Sequence, residues 1–314
     1  KIVVRGAGAS LQQLISVNPD GEDLVIDLEF SDIRIEGHFT NQQVETIAFE
    51  FEDGTVRELS LNAPSEGEES PVIVALGDQG GAVSGGGGDD LVFGGDGDDI
   101  LSGGGGDDGL SGGAGKDTLT GGDGDDTVDG GIGSDILIAA TGAGDDTYDG
   151  GPGIDTIKFT SAFEPVFVDL INGVATGADI DVDILKNIEN VIGGQGDDII
   201  IGDDRSNFLN GGVGDDTIDG NGGVDALHGG LGDDILRGGD GDDGLLGGVG
   251  ADELDGGDGD DFLEGGAGND VANGGAGNDS YAFKLSTGAQ SQADVIGDDV
   301  IDDVSGAQDR VIVG

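Results

Sequence analysis

A nine-residue phrase, G-G-x-G-x-D-x-U-x with U a large apolar residue, recurs in phase through much of this chain. Gly94 to Ser102 is one copy, Gly121 to Asp129 another, and Gly256 to Glu264 a third. A first block has copies starting at Gly85, Gly94, Gly103, Gly112, Gly121, Gly130, Thr141 and Gly150. A second starts at Gly193, Gly202, Gly211, Gly220, Gly229, Gly238, Gly247, Gly256, Gly265 and Gly274. The step stays at nine within each block, except where Ala139 and Ala140 precede Thr141. So short and regular a period specifies the turns of a solenoid, each too small to bury its apolar face alone.

The columns of the phrase carry its chemistry. Position 6 is Asp90, Asp99, Asp108, Asp117, Asp126, Asp135, Asp146 and Asp155 in the first block. In the second it is Asp198, Asn207, Asp216, Asp225, Asp234, Asp243, Asp252, Asp261, Asp270 and Asp279. Position 5 adds Asp89, Asp98, Asp107, Asp125, Asp145, Asp197, Asp215, Asp233, Asp242, Asp260, Asn269 and Asn278. It is relaxed at Lys116, Ser134, Ile154, Val224 and Ala251. Position 8 is apolar throughout, from Val92 and Leu101 to Leu263, Ala272 and Tyr281. Tyr148 and Tyr281 fall in this column and are expected to pack in the core.

Glycines at positions 1, 2 and 4 permit positive φ and close backbone approach, so a six-residue loop can turn its carbonyls inward. The other three residues form a short strand with the position-8 side chain pointing into the core. A parallel strand needs a neighbour about 4.8 Å away, so successive coils stack along an axis. Calcium takes six to eight oxygens at about 2.3–2.6 Å, which carbonyls and Asp carboxylates can supply. One loop cannot surround the ion, whereas stacked loops can, with each position-6 Asp shared between neighbouring ions. The Asp and Asn residues named above at positions 5 and 6 are the candidate ligands.

Charge points the same way. The 314 residues include 70 Gly, 67 Asp plus Glu and only 11 Lys plus Arg, for a formal charge of -56. Without the repeat, such a composition reads as disorder, because repulsion and chain entropy outweigh apolar burial. Gly does not fall at every third residue, which excludes collagen. A polyanion is poorly suited to nucleic acid or an anionic membrane surface, and a multivalent cation is its natural counterion. With no Cys, there is neither a disulfide framework nor a thiolate metal site. No apolar run approaches the length of a transmembrane helix. Because Lys1 begins the chain without a signal-like stretch, the sequence is expected to be a piece of a longer protein.

The phrase resembles the RTX, or haemolysin-type, calcium-binding repeat. That resemblance implies an all-β fold, a right-handed parallel β-roll in which two phrases make one coil and calcium sits between loops that lie on the same side. It also implies a secreted or cell-surface protein exported by type I secretion machinery, folding on calcium outside the cell, and no enzymatic activity in this chain. Two other roles stay open. One is a structural module of an adhesin, surface layer or extracellular polymer, with self-association or a matrix partner. The other is the carboxy-terminal carrier of a secreted hydrolase.

The expected layout is a small β-rich domain at 1–62, a linker and amino-terminal cap at 63–84, repeats at 85–158, a β spacer at 159–192, repeats at 193–282 and a carboxy-terminal cap at 283–314. In the first of these, Gly21 to Ile26 and Phe49 to Thr55 resemble the haemolysin-type calcium-binding related domain. Leu24 to Leu28, Ile33 to Ile35 and Ile47 to Phe51 read as strands, with Asp53-Gly54 as a hairpin signal before Thr55 to Leu59. The spacer is expected to continue the roll without metal in every turn. Other motifs fail. Gly115-Lys116 lacks the upstream glycine of a phosphate-binding loop. The calcium loop of an EF-hand, aligned on Asp123, meets Val128 where its turn Gly belongs and Ser134 where Glu belongs. His38 and His228 are the only histidines, and no G-x-S-x-G elbow accompanies them.

Overall fold

The computed structural model describes residues 73–283, apart from 77–79, 140–141 and 143, together with the backbone of strands within 4–60 and 300–313. Every element it contains is a strand. Consecutive nonapeptides fall alternately in two parallel sheets, so one coil is two phrases. In one sheet Leu91–Asp96, Gly109–Gly115 and Thr127–Gly133 lie side by side. In the other, Ala82–Gly87, Ile100–Gly105 and Thr118–Asp123 do the same. Leu101 pairs with Leu119, eighteen residues on, and Leu227 pairs with Leu245. The result is an all-β parallel solenoid of about 11 turns.

Many of the strands are longer than three residues. Ile100–Gly105 runs from position 7 through position 3 of the next phrase. Positive φ is confined to positions 2 and 4 in this stretch, as in Gly104 at +124° and Gly106 at +112°. A Cβ on Gly104 would strike the carbonyl of Gly86 in the coil before. Gly104 at position 2 is therefore needed for both conformation and space. Position 1 needs it for space alone, because Gly94 and Gly103 do not have positive φ.

The core is one file of side chains. Position 8 is buried in every copy, from Val92 to Tyr281, and these residues form a single cluster along the axis. Burying a Leu or Val side chain is worth about 1.5–3 kcal/mol, so each coil brings two such contributions. That supports a coil only when its neighbours are present.

Among the described residues the regular stack is interrupted once, by an antiparallel insertion. Val166–Asp169 and Val174–Gly177 form an antiparallel hairpin, and Val174–Gly177 also runs antiparallel to Asp181–Lys186. The outer strands rejoin the roll in parallel, Asp181–Lys186 beside Thr147–Asp149 and Val166–Asp169 beside Ile199–Ile201. One sheet thus gains two strands. The other continues directly from Thr156–Lys158 to Asn190–Ile192 and Phe208–Val213.

At the ends, Val300–Ile301 and Arg310–Val313 add one strand to each sheet, against Val271–Ala276 and Ser280–Phe283. Ile15–Val17, Asp23–Ile26, Arg34–Thr40, Gln43–Glu50 and Val56–Ser60 form a separate five-stranded antiparallel sheet. The expected hairpin residues Asp53 and Gly54, and the 63–72 linker, lie outside the described residues.

Candidate metal centre

The two acidic columns have opposite fates. Position 6 turns inward: Asp99, Asp117, Asp135 and Asp155 on one side, and Asp90, Asp108 and Asp126 on the other, are buried. The same holds from Asp198 through Asp216, Asp225, Asp234, Asp243, Asp252, Asp261 and Asp270 to Asp279. Position 5 is exposed, at Asp89, Asp98, Asp107, Asp125, Asp145, Asp197, Asp215, Asp233, Asp242, Asp260, Asn269 and Asn278.

Each column makes a ladder, and the two run in opposite directions. At position 6, Oδ1 accepts the backbone N–H of the equivalent residue one coil earlier. Asp99 donates to Asp117 at 2.8 Å, Asp198 to Asp216 at 2.7 Å, and Asp243 to Asp261 at 2.8 Å. At position 5, Oδ1 accepts from one coil later. Asp107 donates to Asp89 at 3.0 Å, Asp233 to Asp215 at 2.8 Å, and Asn278 to Asp260 at 2.9 Å.

The inner ladder uses only one oxygen of each carboxylate. Oδ2 of Asp99, Asp117, Asp135, Asp155, Asp216, Asp225, Asp234, Asp243, Asp252 and Asp261 is buried with no hydrogen-bond partner. Ten orphaned carboxylate oxygens in a regular file call for a cation, since buried charges are otherwise paired. Position 1 shows where it fits. A Cβ on Gly130 would lie 2.8 Å from both Asp135 Oδ2 and the Gly150 carbonyl. On Gly220 it would lie 2.5 Å from Asp225 Oδ2 and 2.6 Å from the Gly238 carbonyl. Glycine leaves open a cradle where a carboxylate and the next coil's carbonyl converge, an oxygen-only donor set suited to a hard ion.

Electrostatics record the same need. Burial raises Asp117, Asp216, Asp225, Asp234 and Asp261 to about 7. The ladder N–H pulls each down, and neighbouring acids push it up. Asp155 is raised to about 7 and Asp252 to about 6, again chiefly by burial. Among the described residues, no three His, Cys, Asp or Glu side chains converge on one point. Any ion here relies on backbone carbonyls beside one or two carboxylates.

The sequence reading missed two members of the inner column. Asp183 and Glu189 are buried. Asp183 Oδ1 accepts the N–H of Asp146 at 3.1 Å, and Glu189 Oε2 that of Asp155 at 2.9 Å. Glu189 stands nine residues before Asp198, so the phase of the phrase reaches into the spacer. Tyr148 and Tyr281 pack in the core, and their hydroxyls also work. Tyr148 donates to Asp146 Oδ2 at 2.9 Å, and Tyr281 accepts the N–H of Gly274 at 2.8 Å.

A parallel roll whose stacked turns hold an inner file of carboxylates beside convergent carbonyls defines a class of cation-binding β-solenoids. The family model for the RTX calcium-binding nonapeptide repeat matches residues 82–110, 110–137, 140–157, 192–227, 219–254 and 246–281. The chain belongs to that family, and its repeats are calcium-binding repeats of a structural kind. A comparison with curated proteins returns no match.

Proposed function

We propose that this chain is the calcium-binding module of a secreted protein, exported through type I machinery and folded by calcium outside the cell. The observation that carries this reading is the file of orphaned Oδ2 atoms in the inner column. Without metal these carboxylates face one another in a dry interior, and a core of one side chain per phrase is too thin to hold them there.

The position-6 residues are the primary ligands, each shared between ions above and below it, with carbonyls of the glycine-rich turns completing the shell. The position-5 carboxylates act from the surface, bracing the turns through their ladder and raising local cation concentration. When bound, calcium neutralises the inner file. The chain's own part is to exclude water there, orient each carboxylate by its Oδ1 bond, and present carbonyls at fixed spacing.

Binding energy then becomes folding energy. At calcium about ten times Kd each site adds about 1.4 kcal/mol, or on the order of 15 kcal/mol for some ten sites. Extracellular calcium modules bind at about 10⁻⁴–10⁻³ M, between cytoplasmic and external calcium. The test is far-UV circular dichroism of the chain titrated with calcium, with magnesium as control. A cooperative coil-to-β transition with calcium alone supports the reading. A chain fully folded in chelator sinks it.

A further inference from the structure

The repeat at Gly202 departs from the phrase more than any other, and its departures fit together. It reads Gly202-Asp203-Asp204-Arg205-Ser206-Asn207, with Asp at position 2, Arg at position 4 and Asn at position 6. It follows directly on Ile199–Ile201, the strand of the preceding copy that pairs with the hairpin. The coil before it supplies Glu189 at the inner position, and the coil after it supplies Asp225.

Both oxygens of Glu189 are taken. Oε2 accepts the N–H of Asp155 at 2.9 Å, and Oε1 accepts a hydrogen bond from Nη1 of Arg205. The guanidinium also donates from Nε to Asp203 Oδ2 at 2.9 Å and from Nη2 to the Ile188 carbonyl at 3.1 Å. One fixed positive charge thus gathers two carboxylates and a carbonyl from adjacent coils, where the regular repeats bring together one carboxylate oxygen and one carbonyl. Asn207 needs no ion either. Its Nδ2 donates to the Glu189 carbonyl at 2.8 Å, and its Oδ1 accepts the N–H of Asp203 at 2.8 Å.

The other side of the roll is closed by protein donors over the same stretch. Asp198 accepts the N–H of Val166 on Oδ1 at 2.9 Å and that of Gly194 on Oδ2 at 2.7 Å. Asp169 accepts the N–H of Asn172 at 3.0 Å and its side-chain amide at 2.7 Å. Orphaned oxygens border this region at Asp155 and resume at Asp216 and Asp225. The core is thicker as well: Phe159, Ala162, Val166, Val168, Ile180 and Ile188 are buried here in addition to the position-8 file.

We propose that the Arg205 guanidinium takes the place of a calcium ion at this coil interface, so that residues 159–207 close without metal and seed the calcium-driven folding of both blocks. This rests on the calcium reading of the flanking repeats. Arg suits the task because its planar fork holds two carboxylates and carries charge at every physiological pH. A solenoid folds by nucleation and nearest-neighbour growth, so a seed in the middle gives each block a formed coil to stack upon.

The test is hydrogen exchange of the full chain, read by mass spectrometry in chelator and in saturating calcium. In chelator, Val166–Asp169, Asn190–Ile192 and Ile199–Ile201 are expected to stay protected, while Thr118–Asp123 and Gly244–Val249 exchange as coil. Arg205→Gln is expected to lower the central protection in chelator at least about tenfold and to leave the calcium-bound pattern unchanged. Restoring positions 2, 4 and 6 of the phrase with Asp203→Gly, Arg205→Gly and Asn207→Asp is expected to add one bound calcium over the parent, counted by native mass spectrometry. A centre that exchanges as fast as the blocks overturns the proposal. So does unchanged protection in Arg205→Gln, or a rebuilt loop that gains no ion. Blocks protected in chelator overturn instead the calcium reading on which the proposal stands.

Discussion

The backbone N–H of Asp117 donates to Oδ1 of Asp135, eighteen residues on, at 2.8 Å. Asp135 therefore does two things. One oxygen ties its coil to the coil before it, and the other, Oδ2, is buried without a partner. The first is useful at any calcium concentration and the second only when an ion is present.

Two substitutions at this position separate those tasks. Asp135→Asn retains an Oδ1 acceptor but removes the charge, and is expected to raise the calcium midpoint with little loss of fully bound stability. Asp135→Ala removes both functions and additionally strands the Asp117 N–H, costing about 1–3 kcal/mol in the calcium-bound state. Calcium titrations followed by denaturant unfolding at saturation distinguish them. Equal behaviour of the two variants would falsify the division of labour.

Acid should replace calcium in part. The inner carboxylates bind protons more tightly in the folded chain than the usual Asp value of about 3.9 in the unfolded one. Asp117, Asp216, Asp234 and Asp261 rise to about 7. The folded state thus holds more protons. Their contribution is fully present below about pH 4 and is lost as pH rises through about 7. In calcium-stripped buffer, β-signal in circular dichroism is expected to grow on acidification and fade towards neutrality. A signal that instead rises with pH counts against the buried-carboxylate account.

Two glycines four residues apart should respond in opposite senses. Gly248 has φ of +119°, and a Cβ there would strike the Gly230 carbonyl. Gly248→Ala is expected to break local stacking even at saturating calcium. Gly244 begins its strand at position 7, and a Cβ there would meet only the Asp225 carbonyl, at 3.9 Å. Gly244→Ala is expected to be neutral or to stabilise by about 0.4–1 kcal/mol through the unfolded chain. Thermal unfolding in calcium measures both.

The core file should be separable from the metal file. Leu245 is fully buried between Leu227 and Leu263 in neighbouring coils. Leu245→Ala is expected to cost about 2–5 kcal/mol. Bound calcium per folded molecule, counted by native mass spectrometry, is expected to stay the same. Loss of several ions would mean that packing and ligation are not separate columns.

Most of the roll was legible in the sequence because its information is periodic: Leu101 and Leu119 share one column of the phrase, and the resemblance to a roll with two phrases per coil makes them neighbours. The inner fate of Asp99 and the outer fate of Asp98 were not legible, since both are acidic and adjacent. Only the coil geometry sends one to the core and the other to solvent. Glu189 was hidden because its neighbours lack the glycines that mark the phrase, although its distance from Asp198 keeps the period. The hairpin at Val166–Gly177 escaped because a strand's direction is not written in its own residues. The role of Arg205 was not legible because its partners Ile188 and Glu189 lie one coil earlier, outside the phrase that contains it.

Perfect periodicity carries a hazard of its own. Slide one strand of a block past its neighbour by a full coil, and Asp again meets Asp and Leu again meets Leu. Inside a block little beyond departures such as Lys116, Ser134 and Ala251 tells the right alignment from one displaced by eighteen residues. Among the described residues the Val166–Gly177 hairpin has no second copy in the roll, so it acts as the zero mark on an otherwise unnumbered ruler. From that mark each coil can be counted outward in both directions. A block can accordingly gain or lose whole coils without any remaining interface noticing, whereas losing the mark leaves the scale intact and unreadable.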